Sequence, residues 1–326
     1  MTKPRIYVLD PYHPDAISLL QQQTAWIDVV LWDGNDNIKS TWHEHASGLL
    51  IRSETQLKAN DFHLARNLRV VVKQGVGVDN IDLDAAKAAG VAVHNTPGLN
   101  SESVAELTLA LGLALSRRVV EVDRVQRGGG RIVRSGMLGR SLFRKTVGIV
   151  GMGNIGRISA RKWIGACEVR VIGYDPVAPL DVWREGENPI PHTRVQALDE
   201  LLVMSDVVLL HLPLLESTRG LIGDRELDLM KDKAILINVA RGGIVDEDAL
   251  LRALRERKIG GAALDALEIE PPSLEKYQDF FDLGNVIITP HIGASTVENQ
   301  INSGVAAVKT LLAVLQGDRD VPGKVV

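Results

Sequence analysis

The chain has 326 residues, 37 basic and 41 acidic side chains, a formal net charge of −4, one cysteine and an apolar fraction of 45%. At roughly 100 to 200 residues per domain the length suggests two domains, and 24% charged residues beside abundant aliphatics exclude a disordered or fibrous chain. The lone Cys167 excludes a disulfide framework and any cysteine-built metal site within one chain, which points to reducing, cytoplasmic surroundings, and the mild negative charge argues against general affinity for nucleic acid.

The first residues, Met1 to Asp10, hold too short an apolar run for a secretory signal, and no uncharged apolar stretch approaches the ~20 residues of a membrane-spanning helix. Short β-branched runs then alternate with helical patterns, the signature of a parallel sheet covered by helices. Strands are expected at Arg5 to Asp10, Ile27 to Leu31, Gly48 to Ile51, Val70 to Lys73 and Val91 to Val93, completing one α/β unit by about residue 98. After the turn Thr96-Pro97-Gly98, a connecting helix begins near Ser101. In it Ser103 and Glu106 match a capping box, and Val104, Leu107 and Leu111 share a face. A basic stretch follows, in which nine Arg/Lys between Arg117 and Lys145 face only Glu121 and Asp123; it reads as a solvated helix face or a subunit-contact arm. A second series has strands at Thr146 to Val150, Val169 to Tyr174, Val207 to Leu210, Ala234 to Val239, Gly261 to Leu264 and Val286 to Thr289. The last helical pattern, Ser295 to Leu315, carries Val305, Val308, Leu311, Leu312 and Leu315 on one stripe and is expected to pack back on the first unit.

Gly151-Met-Gly153-Asn-Ile-Gly156 directly follows a predicted strand and opens a helical pattern, which raises a weak motif to a dinucleotide fingerprint. Gly151 permits the tight turn, Gly153 lets backbone approach a pyrophosphate at the helix N-terminus, and Gly156 allows close helix–strand packing. Asp175 ends the next strand, placed to accept from the adenosine ribose hydroxyls and to repel a 2′-phosphate, so NAD is the expected cofactor. There is no Tyr with a Lys four positions later, as short-chain dehydrogenases need, and no P-loop.

Three further segments each follow a predicted strand: Asn238 to Asp246 with Arg241, Ala263 to Pro272 with Asp265 and Glu270, and Thr289 to Ala294 with His291. In an open parallel sheet all three face the crevice at the carboxyl ends of the strands. Arginine, carboxylate and histidine beside a nicotinamide suit oxidation of an α-hydroxy acid. Arg241 is expected to fork onto the substrate carboxylate, His291 to exchange the hydroxyl proton, and Glu270 to fix the histidine tautomer and raise its pKa.

Gly75-Val-Gly77-Val-Asp79, the glycine fingerprint, Asn238-Val-Ala-Arg241-Gly-Gly243, Asp265 with Glu270-Pro271, and Pro290-His291-Ile-Gly293 together resemble the D-2-hydroxyacid dehydrogenases over nearly the whole chain. The resemblance implies a fold of two doubly wound parallel-sheet domains: a Rossmann NAD-binding domain over 99–295, and a flavodoxin-like, discontinuous substrate domain from 1–98 and 296–326. It implies Arg241, Glu270 and His291 as the catalytic set. It assigns cofactor contacts to Asn154, Ile155, Asp175, Leu212, Val239, Ala240, Asp265, Gly293 and Ala294, with Asp265 near the nicotinamide amide. Backbone N–H groups around Val76 and Gly77 would hold the substrate carboxylate, and a homodimer would form through 101–145. Formate dehydrogenases usually carry Gln where Glu270 stands. The Arg52-Ser53 segment and Gly75 to Asp82 look most like 3-phosphoglycerate dehydrogenases lacking the regulatory domain, so Arg52 is expected to grip an anionic group at the far end of the substrate. The Asp265-Ala-Leu segment departs from the family's usual Asp-Val-Phe. A related NAD(H)-sensing corepressor that binds peptides is the alternative function.

His43-Glu44-His45 lacks the further histidine of a zinc motif, since Ser47 stands at the required position, and reads as solvated helix or loop. No metal is expected. Cys167 and the five tryptophans, Trp26, Trp32, Trp42, Trp163 and Trp183, read as packing residues.

Overall fold

The computed structural model describes residues 3–34, 37–184, 189–318 and 320–326. The chain divides into two compact units, Met1–Asn100 with Ala294–Val326, and Ser101–Gly293. Each break lies two residues from the position expected from sequence, 98/99 and 295/296.

In the unit built from both chain ends, the described residues form five strands: Arg5–Val8 (β1), Asp28–Leu31 (β2), Ala46–Ile51 (β3), Val70–Lys73 (β4) and Ala92–Asn95 (β5). They pair in parallel in the order β2-β1-β3-β4-β5, the flavodoxin-like winding. Both faces are covered, as a parallel sheet requires, and the alternation along each strand sorts the side chains. Ile6, Val8, Leu50, Val70 and Val72 face one core with Ala307, Val308, Leu311 and Leu315 of the helix Val297–Gln316. Tyr7, Leu49, Ile51, Val71 and Val93 face the other. The last helix therefore does return to the first sheet. Beyond it, His94 bridges antiparallel to Lys324, so the chain end caps the β5 edge, which the sequence pattern did not suggest.

In the unit Ser101–Gly293 the strands are Thr146–Val150 (β6), Arg170–Tyr174 (β7), Thr193–Arg194 (β8), Val207–Leu210 (β9), Ile235–Asn238 (β10), Gly261–Leu264 (β11) and Val286–Ile288 (β12). Among the described residues the order is β12-β11-β10-β9-β6-β7-β8, all parallel. This is Rossmann winding extended by one strand, with its reversal between β6 and β9. Val208, Leu210, Leu236 and Ala262 enter one core, and Val207, Leu209, Ile237 and Ala263 the other. The two-residue β8 escaped the sequence reading because it is too short to show a period.

The helix Ser101–Ser116 starts two residues before the expected capping box. Ser103 is buried inside its first turn, and Glu106 pairs instead with Lys162 at 3.0 Å. A local S-x-x-E pattern does not reveal that the chain upstream is already helical. The predicted apolar face holds, with Val104 and Leu111 buried and Leu107 packed beside them.

Candidate active site

The glycine loop follows β6 at the reversal of the sheet. Its three glycines have separable physical reasons. Gly151 sits at φ +99° with its Cα against the His211 carbonyl, and a Cβ at Gly156 would run into the Gly151 carbonyl. At Gly153 a Cβ would meet nothing within 4 Å. Gly153 is also the N-cap of the helix Asn154–Cys167 and offers no side-chain cap, so no capping side chain competes for the first-turn N–H groups, as a pyrophosphate site requires. The Asp175 carboxylate is tied to the loop: Oδ2 accepts from Met152 N at 2.9 Å, and Oδ1 from Val177 N and Ala178 N at 3.0 Å. Oδ2 keeps a further lone pair for a ribose hydroxyl. Leu212 follows β9, across the reversal from the glycine loop. This arrangement fits a dinucleotide.

Beside it lie the ends of β10, β11 and β12. His291 adopts φ +55° at the turn after β12, and its Nδ1 lies 2.9 Å from Glu270 Oε2 and 3.1 Å from Oε1. Both side chains are about one-third exposed, 38% and 34%. Glu270 Oε1 also accepts from Leu267 N at 3.0 Å. Burial works against its charge, yet the hydrogen bonds from His291 and Leu267 and the nearby Arg241 cation hold its carboxyl below the usual range. Arg241 turns back so that Nη1 donates to the Ala240 carbonyl at 2.7 Å. Buried Asn238 holds this turn from beneath: its Nδ2 donates to the Arg241 carbonyl at 2.9 Å, while Ala240 N donates to its Oδ1 at 3.1 Å. Gly242 has the Leu267 carbonyl where a Cβ would stand, which brings the Arg241 turn against the Glu270 segment.

Residues 109–293 match the NAD binding domain of the D-isomer specific 2-hydroxyacid dehydrogenases. This chain belongs to that family. The hydroxypyruvate reductase of Thermotoga maritima is 36% identical over 315 residues, which are 97% of this chain and 99% of the relative. A D-3-phosphoglycerate dehydrogenase of Methanocaldococcus jannaschii is 38% identical over 314 residues, 96% of this chain but 58% of the longer relative. Among solved structures, a D-lactate dehydrogenase from Aquifex aeolicus complexed with NAD and lactic acid matches with a TM-score of 0.84 at 29% identity, covering 99% of both chains. The protein is thus an NAD-dependent enzyme of the 2-hydroxyacid dehydrogenase family, and these relatives give the corepressor reading no support.

As a member of this family, the chain carries several supports that its motifs did not reveal. Asp265, 1% exposed, uses its carboxylate to hold the histidine turn: Oδ1 accepts from Thr289 Oγ1 at 2.7 Å and Ile292 N at 2.8 Å, and Oδ2 from Gly293 N at 2.8 Å. Val239 and Ala240 are buried behind Arg241. His211, whose Nε2 lies 3.0 Å from Ser159 Oγ, links β9 to the dinucleotide helix. Ala294, placed with the other unit, accepts amide hydrogens from Asn299 and Gln300.

Arg52, Val76 and Gly77 also lie in that other unit. Arg52 stands at its own sheet reversal, after β3 and beside the end of β1. Its N–H donates to Oδ2 of buried Asp10 at 2.5 Å, its Nη1 to the Pro11 carbonyl at 3.1 Å, and its carbonyl accepts from Asn80 Nδ2 at 2.8 Å. Val76 is 39% exposed, and its carbonyl accepts from Asn95 Nδ2 at 2.7 Å. Asp10 was missed although it ends the strand expected from sequence, the one signal that could have found it; the observed strand stops at Val8. His43 is less solvated than expected: it stacks on Trp42 and pairs with Asp61 at 2.8 Å. No metal-holding cluster occurs among the described residues. Cys167, Trp42, Trp163 and Trp183 are buried, as expected of packing residues.

Proposed function

We propose that the protein interconverts a D-2-hydroxy acid and its 2-oxo acid with His291, Glu270 and Arg241 as the working side chains. NAD supplies the hydride acceptor, and NADH the donor in reverse. The observation that carries this reading is the His291–Glu270 pair at 2.9 Å within the unit that carries the glycine loop. With Glu270 ionised, Nδ1 keeps its proton toward the carboxylate, and Nε2 is left to exchange a proton with the C2 oxygen of substrate. Arg241 binds the substrate carboxylate and polarises the C2 oxygen. Gly151, Gly153, Asn154, Ile155, Gly156, Asp175, Leu212, Val239, Ala240, Asp265, Gly293 and Ala294 serve the cofactor. The unit formed by both chain ends is the substrate domain, where Val76 and Gly77 hold the carboxylate and Arg52 a second anionic or strongly polar group, as in a phosphoglycerate-like substrate. Identity to the hydroxypyruvate, phosphoglycerate and glyoxylate enzymes is 36%, 38% and 38%, so the proposed second anionic group rests on Arg52 and not on relatedness.

A homodimer through 101–145 is part of this proposal. Val133, Leu138 and Phe143 are 62%, 74% and 52% exposed there, apolar surface that a second copy would cover. A cytoplasmic setting accords with the single, buried Cys167.

A panel of 2-oxo acids with NADH tests the proposal. One or more is expected to turn over and yield the D-2-hydroxy acid; an L product, or no turnover with any, contradicts it. Arg52→Ala is expected to raise KM for a doubly anionic substrate about ten- to a hundredfold, and for glyoxylate much less. Equal effects on both would remove Arg52 from the site.

A further inference from the structure

Glu270 lies at the end of a five-residue segment, Ala266 to Glu270, between β11 and the helix Leu274–Phe281, and three successive backbone N–H groups of that segment find side-chain acceptors. Leu267 N donates to Glu270 itself at 3.0 Å. Glu268 N donates to Glu247 Oε1 at 2.8 Å. Ile269 N donates to the Tyr277 hydroxyl at 3.0 Å. Ala266 and Leu267 are buried, but the Glu268 and Ile269 side chains next to Glu270 are exposed, so that end of the segment is not held by packing of its own side chains. It is held through its backbone.

The two outer acceptors are unusual for a surface turn. Glu247 opens the helix Glu247–Arg255 and is 7% exposed, and Tyr277 is fully buried in the helix Leu274–Phe281. A glutamate in the first helical turn is ordinary, but one turned inward forgoes hydration and needs a reason. Burial pushes the Glu247 carboxyl up, against the pull of the Glu268 N–H and the Tyr277 hydroxyl. Burial also pushes the Tyr277 phenol up to about 12. The phenol therefore keeps its proton and accepts from Ile269 with its oxygen, while Glu247 accepts from Glu268 with Oε1 and its buried Oε2 makes no hydrogen bond. Each of the two helices thus supplies one buried acceptor, and both serve the residues immediately before Glu270.

We infer that Glu247 and Tyr277 are positioning residues for Glu270: through Glu268 N and Ile269 N they fix the segment that holds the Glu270 carboxylate against His291 Nδ1. The inference rests on the reading of Glu270 as the group that sets the His291 tautomer. Removing either acceptor frees one backbone N–H and lets Glu270 drift, and a drift of about 1 Å at a catalytic group is enough for large rate losses.

The test uses the full chain, 15N-labelled at histidine and loaded with NAD, and reads which ring nitrogen of His291 carries the proton when the ring is neutral. His291→Gln assigns the signal. The native protein is expected to show the Nδ1–H tautomer. Glu270→Ala is the reference, expected to move the ring toward Nε2–H. Tyr277→Phe, which keeps the ring's volume and deletes only the hydroxyl, and Glu247→Ala are expected to give a mixture of the two. Glu247→Gln is expected to restore the native signal, because its amide oxygen can accept from Glu268 N. In NADH-dependent reduction of glyoxylate, kcat of Tyr277→Phe is expected to fall about tenfold with NADH affinity unchanged. If Glu270→Ala leaves the tautomer as it was, the reading of Glu270 fails. If Glu270→Ala moves it and Tyr277→Phe does not, the positioning role is overturned, and Tyr277→Phe decides this even if Glu247→Ala does not fold.

Discussion

At the scale of single residues, the glycine loop separates turn geometry from ligand contact. Gly151 is bound to its position by φ +99° and the His211 carbonyl, whereas Gly153 borders open space. Gly151→Ala should therefore destabilise the protein by about 1–3 kcal/mol, read from the shift of its denaturation midpoint. Gly153→Ala should leave that midpoint nearly unchanged and weaken NADH binding about tenfold or more, since the added methyl stands where the pyrophosphate approaches. The reverse pattern would show that the loop was misassigned. In the proposed site Asp175 has both kinds of work, because the carboxylate assigned to the ribose also organises Met152, Val177 and Ala178. Asp175→Ala should weaken NADH more than NADPH and so narrow the preference between them. Titrations in which both cofactors weaken alike would leave the carboxylate a purely structural part.

At the scale of elements, the site is held by side chains from one strand end that fix the next loop. Asn238 at the end of β10 holds the Arg241 turn, and Asp265 after β11 holds the turn carrying His291. His211, after β9, presses under the glycine loop, and burial pushes its imidazole down to about 3. Its folded pKa thus lies below the ordinary 6.5, so between those values the unfolded chain binds the extra proton and stability rises with pH. This contribution is complete above about pH 6.5 and is lost as pH falls toward 3, an effect of a few kcal/mol. Urea unfolding at about pH 7 and about pH 5 should show a loss of stability in the native protein that His211→Gln reduces. An identical loss in both would assign the acid sensitivity to another histidine such as His94, whose imidazole burial holds below its ordinary value.

At the scale of the whole molecule, what was legible in the sequence is what depends on near neighbours. The strands of both sheets announce themselves because parallel strands buried on both faces read as aliphatic runs, and Val207 to Leu210 or Val70 to Lys73 need no tertiary knowledge. The glycine fingerprint was legible for the same reason, since strand, turn and helix follow within a dozen residues. The supports were not. Asp265 reaches Gly293 across 28 positions and Glu247 reaches Glu268 across 21, and in one sequence a buried acid that accepts a backbone N–H looks like any surface acid. Likewise the antiparallel bridge from His94 to Lys324 joins residues that no periodicity connects. The candidate set Arg241, Glu270 and His291 was legible in the motifs; the side chains that hold it became visible only with the fold.

The central claim is that His291, held by Glu270, exchanges the proton that accompanies hydride transfer. It is tested most directly by comparing His291→Ala with the native enzyme in NADH oxidation by the best 2-oxo acid of the panel, with NADH affinity measured on the same preparations. In His291→Ala, kcat should fall by about a hundredfold or more while NADH binds nearly as before. An unchanged kcat in His291→Ala would contradict it.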